Sequence, residues 1–107
     1  MINAKSSINR IKIAQNFLQK KTEVSSFPIE CFIDTYGICN LKCPMCPCTI
    51  VAKDTERGMM ELSTFETVIR KIKDYVDFVL ITARGEPLLN PHYIEFIKVC
   101  KRAGLKV

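Results

Sequence analysis

A strand-like apolar run followed by a stretch of helical periodicity occurs twice in this 107-residue chain, and that repetition narrows the folds open to it. Glu30-Cys31-Phe32-Ile33-Asp34-Thr35-Tyr36 reads as a first strand, and Phe78-Val79-Leu80-Ile81-Thr82, apolar and rich in β-branched and aromatic residues, as a buried second one. Between them, Ser63-Thr64-Phe65-Glu66 has the form of a capping box, in which the Ser hydroxyl and the Glu carboxylate satisfy free amides of a first helical turn. Phe65, Val68, Ile69, Ile72 and Val76 then recur at helical spacing, predicting a helix over 64–76 that faces the sheet. After the second run, Asn90 is placed to cap a helix and Pro91 suits its first position. Tyr93, Phe96, Ile97 and Cys100 make the apolar face of that helix, Lys98, Lys101 and Arg102 its wet face, and Gly104 its end. This order predicts parallel α/β units with right-handed crossovers, and Gly104–Val107 begins a third strand.

The loop after the first strand carries Cys39-Asn40-Leu41-Lys42-Cys43-Pro44-Met45-Cys46. Three thiolates at Cys-x3-Cys-x2-Cys spacing are one short of a closed structural zinc site, which takes four Cys or His ligands. In a 4Fe–4S cluster, which takes one thiolate per iron, the same three leave one iron open to another ligand. The chain has six cysteines, and Cys48, two residues past Cys46, offers the fourth thiolate of an all-cysteine zinc module. The trio by itself admits either metal. Disulfides are disfavoured, because the N-terminus has no apolar run or cleavage site of an export signal. Cys31 and Cys100 fall on the apolar faces of a strand and a helix and read as small core residues.

Downstream, the second strand empties into Ala83-Arg84-Gly85-Glu86-Pro87-Leu88-Leu89-Asn90-Pro91. With Cys39–Cys46 this segment resembles the radical S-adenosylmethionine superfamily. The first motif matches that family's cluster loop and the second its Gly-Glu-Pro turn. A zinc module has no use for such a turn. Arg84 stands where the commonest form has the first of two glycines, and Ala83 replaces a glycine often found one place earlier.

The resemblance implies that Cys39, Cys43 and Cys46 hold three irons of a 4Fe–4S cluster. The fourth iron would be chelated by the amino and carboxylate groups of S-adenosylmethionine, which is cleaved reductively to a 5′-deoxyadenosyl radical that abstracts hydrogen from a substrate. It places Met45 against the adenine, a role that suits its polarizable thioether. It also places Gly85, Glu86 and Pro87 at the methionine amino group. Glycine permits close backbone approach, Glu86 accepts a charge-assisted hydrogen bond from the ammonium, and Pro87 sets the turn. An electron donor of the flavodoxin or ferredoxin kind is implied as a partner. Arg57-Gly58-Met59-Met60 loosely resembles the branch with SPASM or twitch extensions, whose substrates are peptides or other large molecules.

The fold implied is a (β/α)6-type TIM-like barrel, of which residues 29–107 supply the opening βα units up to the start of the third strand. Catalytic groups of α/β barrels lie at the C-terminal ends of the strands, so Cys39, Met45 and Glu86 are expected near one another there. A full (β/α)8 barrel takes about 250 residues, so the chain is expected to be a fragment of a longer protein or a truncated remnant. Residues 1–28 are a leading helix and a linker. The helix is expected over Asn3–Lys20, with Ser6 or Ser7 as cap and Ile8, Ile11 and Leu18 as a modest apolar stripe, and Lys21–Pro28 as the linker. The formal net charge of +5 reads as a solvated surface and not a nucleic-acid site, and His92 as a surface residue and not a ligand. No run approaches the roughly 18 apolar residues of a membrane span, so a cytoplasmic protein without a membrane partner is expected.

Overall fold

The two short strands lie side by side and parallel. In the computed structural model, which describes residues 4–46, 58–82 and 84–107, β1 (Glu30–Phe32) and β2 (Phe78–Leu80) pair with Glu30 opposite Phe78, Cys31 opposite Val79 and Phe32 opposite Leu80. The amide of Ile33 donates to Leu80 O at 2.8 Å and carries the pairing one residue further. On the other edge of β2, Lys106 forms a single parallel bridge to Phe78. Val79 N donates to Lys106 O at 2.8 Å and Lys106 N donates to Asp77 O at 3.0 Å. The expected third strand is therefore present as one bridge, with β2 in the centre.

The helices are α1 (Ala4–Leu18), α2 (Leu62–Ile72) and α3 (Tyr93–Arg102), with a 3-10 turn at Pro87–Leu89 before α3. Helices α2 and α3 cover one face of the sheet. Phe65 and Ile69 of α2, Phe96, Val99 and Cys100 of α3, and Val79 of β2 share one buried cluster with Ile33, Val76, Ile81 and Leu105. At its centre the rings of Phe65 and Phe96, both fully buried, stack with centroids 4.4 Å apart. Burying an aromatic side chain of this size stabilises the fold by about 1.5–3 kcal/mol. Alternation along a strand sends neighbouring side chains to opposite faces. Phe32, between Cys31 and Ile33, accordingly stands on the other face and is 62 % exposed.

Helix ends show where local signals were overruled. The capping box is not formed. Helix α2 begins at Leu62 with Glu61 as N-cap and no side-chain cap bond, so Ser63 lies inside the first turn and its carbonyl accepts from Thr67 Oγ1 at 2.9 Å. Leu62 packs against the core, and its burial brings the helix start forward. The helix ends at Ile72, short of Val76, which is buried after a turn. Gly104 behaves as expected. At φ +77° it lets Gly104 N donate to Lys101 O and Leu105 N to Cys100 O, the pattern of a Schellman motif. Helix α1 ends in the same way with a non-glycine residue. Lys20 takes φ +50°, Lys20 N donates to Phe17 O, and Lys21 N to Asn16 O.

Candidate cluster and cofactor site

The loop that carries the cysteines is closed at its neck. Beyond β1 the chain runs to Tyr36, which forms an antiparallel bridge with Met59. Gly37 N donates to Gly58 O and Met60 N to Thr35 O, each at 3.0 Å. Gly58-Met59-Met60 is thus the return arm of the loop. Met60 packs on the core, and Met59 is 43 % exposed. The neck holds both ends of the cysteine segment at the C-terminal end of β1.

The second motif is fastened to the same neck. Glu86 N donates to Ile38 O at 2.9 Å, one residue before Cys39. Gly85 has φ +71°, and a Cβ there would lie 2.0 Å from Tyr36 O and 2.8 Å from Ile38 O. Only glycine permits this approach. The second motif therefore meets the backbone immediately before the cysteine motif, distant from it in sequence. Glu86 also caps the 3-10 turn, its Oε1 accepting from Leu88 N at 3.0 Å, with Pro87 as the first residue of that turn. A carboxylate has about four lone-pair sites, so this bond leaves Glu86 able to accept from a cation.

Asn90 locks the arrangement from below. It is 1 % exposed, and its Nδ2 donates to Thr35 O at 2.9 Å and to Met60 O at 3.2 Å. Its Oδ1 accepts from His92 N at 2.9 Å. The expected cap at Asn90 thus acts ahead of the helix, for α3 proper has His92 as N-cap without a side-chain cap bond. Thr35 Oγ1 is buried and has no hydrogen-bond partner among the described residues. His92 is half-buried against Phe96, with its Nε2 3.7 Å from Glu61 Oε2.

The cysteines themselves are only partly organised. Cys39 and Cys46 are half-buried and Cys43 is exposed. Leu41 N donates to Cys39 Sγ at 3.4 Å, and Cys46 N to Cys43 O at 3.1 Å, closing a turn over Pro44-Met45. Among the described residues no three His, Cys, Asp or Glu side chains converge to hold a metal ion. The donor chemistry fits an iron–sulfur cluster: three soft thiols on one loop, one already receiving an amide hydrogen bond of the kind that tunes such clusters. What is not preassembled is the spacing of the sulfurs. Met45 is 92 % exposed, so its side chain packs closely on none of the described residues. Cys48, Ala83 and Arg57 lie outside the described residues.

Sequence reasoning missed the neck, formed by Thr35–Gly37 and Gly58–Met60, and the bridging role of Asn90. A signal for the neck existed in the two glycines, Gly37 and Gly58, that bracket the cysteine segment. The two outer cysteines behave as expected. Cys100 is fully buried, which pushes its thiol pKa up to about 11, and Cys31 packs against the core. No family model, no curated protein and no solved structure matches this chain.

Proposed function

We propose that this chain is the cluster- and cofactor-binding opening of a radical S-adenosylmethionine enzyme, built as the first βα units of a TIM-like barrel. The observation that carries the reading is the contact between Gly85-Glu86 and Tyr36-Ile38, which ties the Gly-Glu-Pro turn to the entrance of the cysteine loop. The parallel pairing of β1 and β2, and the position of both motifs just beyond the C-terminal ends of those strands, support it further. Cys39, Cys43 and Cys46 hold a 4Fe–4S cluster in this reading. The chemistry such a cluster supplies is reductive cleavage of S-adenosylmethionine to methionine and a 5′-deoxyadenosyl radical. Gly85 lets the turn lie against Tyr36 and Ile38, Glu86 would accept from the ammonium of the cofactor's methionine moiety, and Pro87 would hold the turn. An electron carrier of the flavodoxin or ferredoxin type and a peptide or other large substrate complete the proposal.

Anaerobic reconstitution with iron and sulfide tests it. About four irons per chain and thiolate-to-iron absorption near 400 nm are expected, as for cysteinyl clusters. Cys39→Ala, Cys43→Ala and Cys46→Ala should each abolish that absorption, and Cys48→Ala should leave most of it. A chain that takes up one zinc through all four cysteines instead would replace this reading with the closed zinc module.

A further inference from the structure

Helix α1 rests on the protein by its polar side. Its buried residues are Ser6, Asn9 and Asn16, whereas Ile8, Ile11, Phe17 and Leu18 are 55 %, 58 %, 82 % and 79 % exposed. The buried side is matched group by group. Ser6 Oγ donates to Asp77 Oδ1 at 2.9 Å, Asn9 exchanges two hydrogen bonds with the backbone of Phe27, and Asn16 Nδ2 donates to Ser26 Oγ at 3.0 Å. Lys5 pairs with Asp74, and Arg10 with Asp77. No described α1 residue belongs to the apolar core. The expected apolar stripe therefore exists, and it points away from the body.

At 3.6 residues per turn, Ala14, Ser7, Leu18, Ile11, Ala4, Gln15 and Ile8 follow one another around about a third of the helix circumference, with no charge among them. Arg10 borders this band on one side, next to Phe17, and Lys12 borders it on the other. Lys20 and Lys21 follow at its C-terminal end. The charge of the chain is concentrated here as well. Five of the sixteen Lys and Arg precede Glu23, the first acidic residue, and the other eleven are balanced by all eleven Asp and Glu. The whole net charge of +5 thus belongs to the first 22 residues.

We infer that the outer face of α1 is a docking surface for an anionic lipid bilayer, on which the helix lies in the plane of the headgroups. A convex ridge of Ile8, Ile11 and Leu18 immerses its side chains in the acyl boundary, while Lys12, Lys20 and Lys21 reach lipid phosphates from its borders. A second copy of the chain is a poor occupant, because its α1 would set cations against cations with no acidic side chain on either helix. The polar latch beneath α1 explains why the exposed side stays exposed: turning the helix over would bury its apolar band and break every bond to Asp77, Phe27 and Ser26.

Co-sedimentation of the whole chain with vesicles tests the inference, using phosphatidylcholine alone and phosphatidylcholine with equimolar phosphatidylglycerol. Binding to the anionic vesicles should exceed binding to the neutral ones by at least about tenfold and weaken with added salt. Ile11→Ser combined with Leu18→Ser, and Lys12→Glu combined with Lys20→Glu, should each lower it by at least about tenfold, with circular dichroism unchanged. Ile94→Ser removes an equally exposed apolar side chain, 58 % accessible, from α3 and should leave binding as it was. Equal binding to both vesicle types, or equal loss through Ile94→Ser, overturns the inference. So does a chain that ignores vesicles but forms a dimer, or grips an acidic protein, through Ile11 and Leu18.

Discussion

Two regions of this molecule are held by opposite kinds of force. The sheet with α2 and α3 is an apolar assembly, in which Phe65, Phe96 and Val79 are fully buried against one another. Helix α1 is attached by side-chain hydrogen bonds and ion pairs to Asp74, Asp77, Ser26 and the backbone of Phe27. Apolar burial does not depend on pH or direction, so the first region tolerates small shifts and resists acid. Hydrogen bonds and ion pairs need geometry and charge, and each contributes a net stabilisation of only about 0.5–1.5 kcal/mol. The cysteine loop belongs to neither type. It is closed at its neck by backbone bonds, with the Asn90 side chain bridging Thr35 O and Met60 O beside them.

The largest effect should come from the apolar region. Phe96→Ala removes half of the central stack and should cost about 3–5 kcal/mol in urea denaturation, enough to unfold a domain this small. Gly85→Ala comes next. The new Cβ meets Tyr36 O, and the left-handed backbone adds strain, so a loss of about 1–3 kcal/mol is expected. The amide of Glu86 should also lose protection from hydrogen exchange as its bond to Ile38 breaks. A fully stable Gly85→Ala protein with Glu86 still protected would show that the two motifs are not fastened as described.

Asp77 divides the regions more finely. Partial burial pushes its carboxyl up, but the hydrogen bonds from Ser6 and Arg10 and the charges of Arg10 and Lys106 outweigh this, and the net result lies below the usual carboxylate range. Asp74 is lowered by its hydrogen bond from Lys5. A depressed folded pKa gives stability that is present above the unfolded value of about 4 and is lost as pH falls through the folded one. Acidification below about pH 4 should therefore release α1 before the core melts, seen as earlier exchange of α1 amides. Asp77→Asn should cost about 1 kcal/mol and flatten that response. An α1 that detaches together with the core at every pH would erase the contrast.

The smallest effects test the buried polar atoms. Thr35→Val replaces a hydroxyl without a partner among the described residues by a methyl group and should be neutral or stabilising by up to about 1 kcal/mol in thermal melts. Cys100, with its pKa near 11, should resist alkylation at pH 8 in the native chain, while Cys39 and Cys46 react. Because burial raises this pKa, its contribution to stability is complete below the ordinary thiol value of 9.0 and declines only as pH rises towards 11. Peptide mapping after a short exposure to iodoacetamide reads out the order.

The amino-acid sequence alone determined the parts governed by local periodicity and backbone chemistry. Within the apolar runs at 30–36 and 78–82, the shorter segments Glu30–Phe32 and Phe78–Leu80 became parallel strands, and the spacing of Phe65 and Ile69 and of Phe96 and Cys100 set the faces of α2 and α3. Gly104 ended its helix because only a residue at ease with positive φ fits there. The place of Gly85 beside the cysteine loop was legible through a motif, and its physical reason became visible in the oxygen atoms of Tyr36 and Ile38.

Tertiary structure decided what depends on partners distant in the chain. Ser63 had the form of a cap, but burial of Leu62 moved the helix start and left the box unformed. Asn90 looked like a helix cap and became a three-way bridge, because Thr35 O and Met60 O arrive from 55 and 30 residues away. Ile8, Ile11 and Leu18 made a recognisable stripe, yet its direction was set by Asp74 and Asp77, 69 and 71 residues from Lys5 and Ser6. A helical period states which residues share a face. Which face turns inward is chosen by the groups waiting on the surface beneath, and here those were carboxylates.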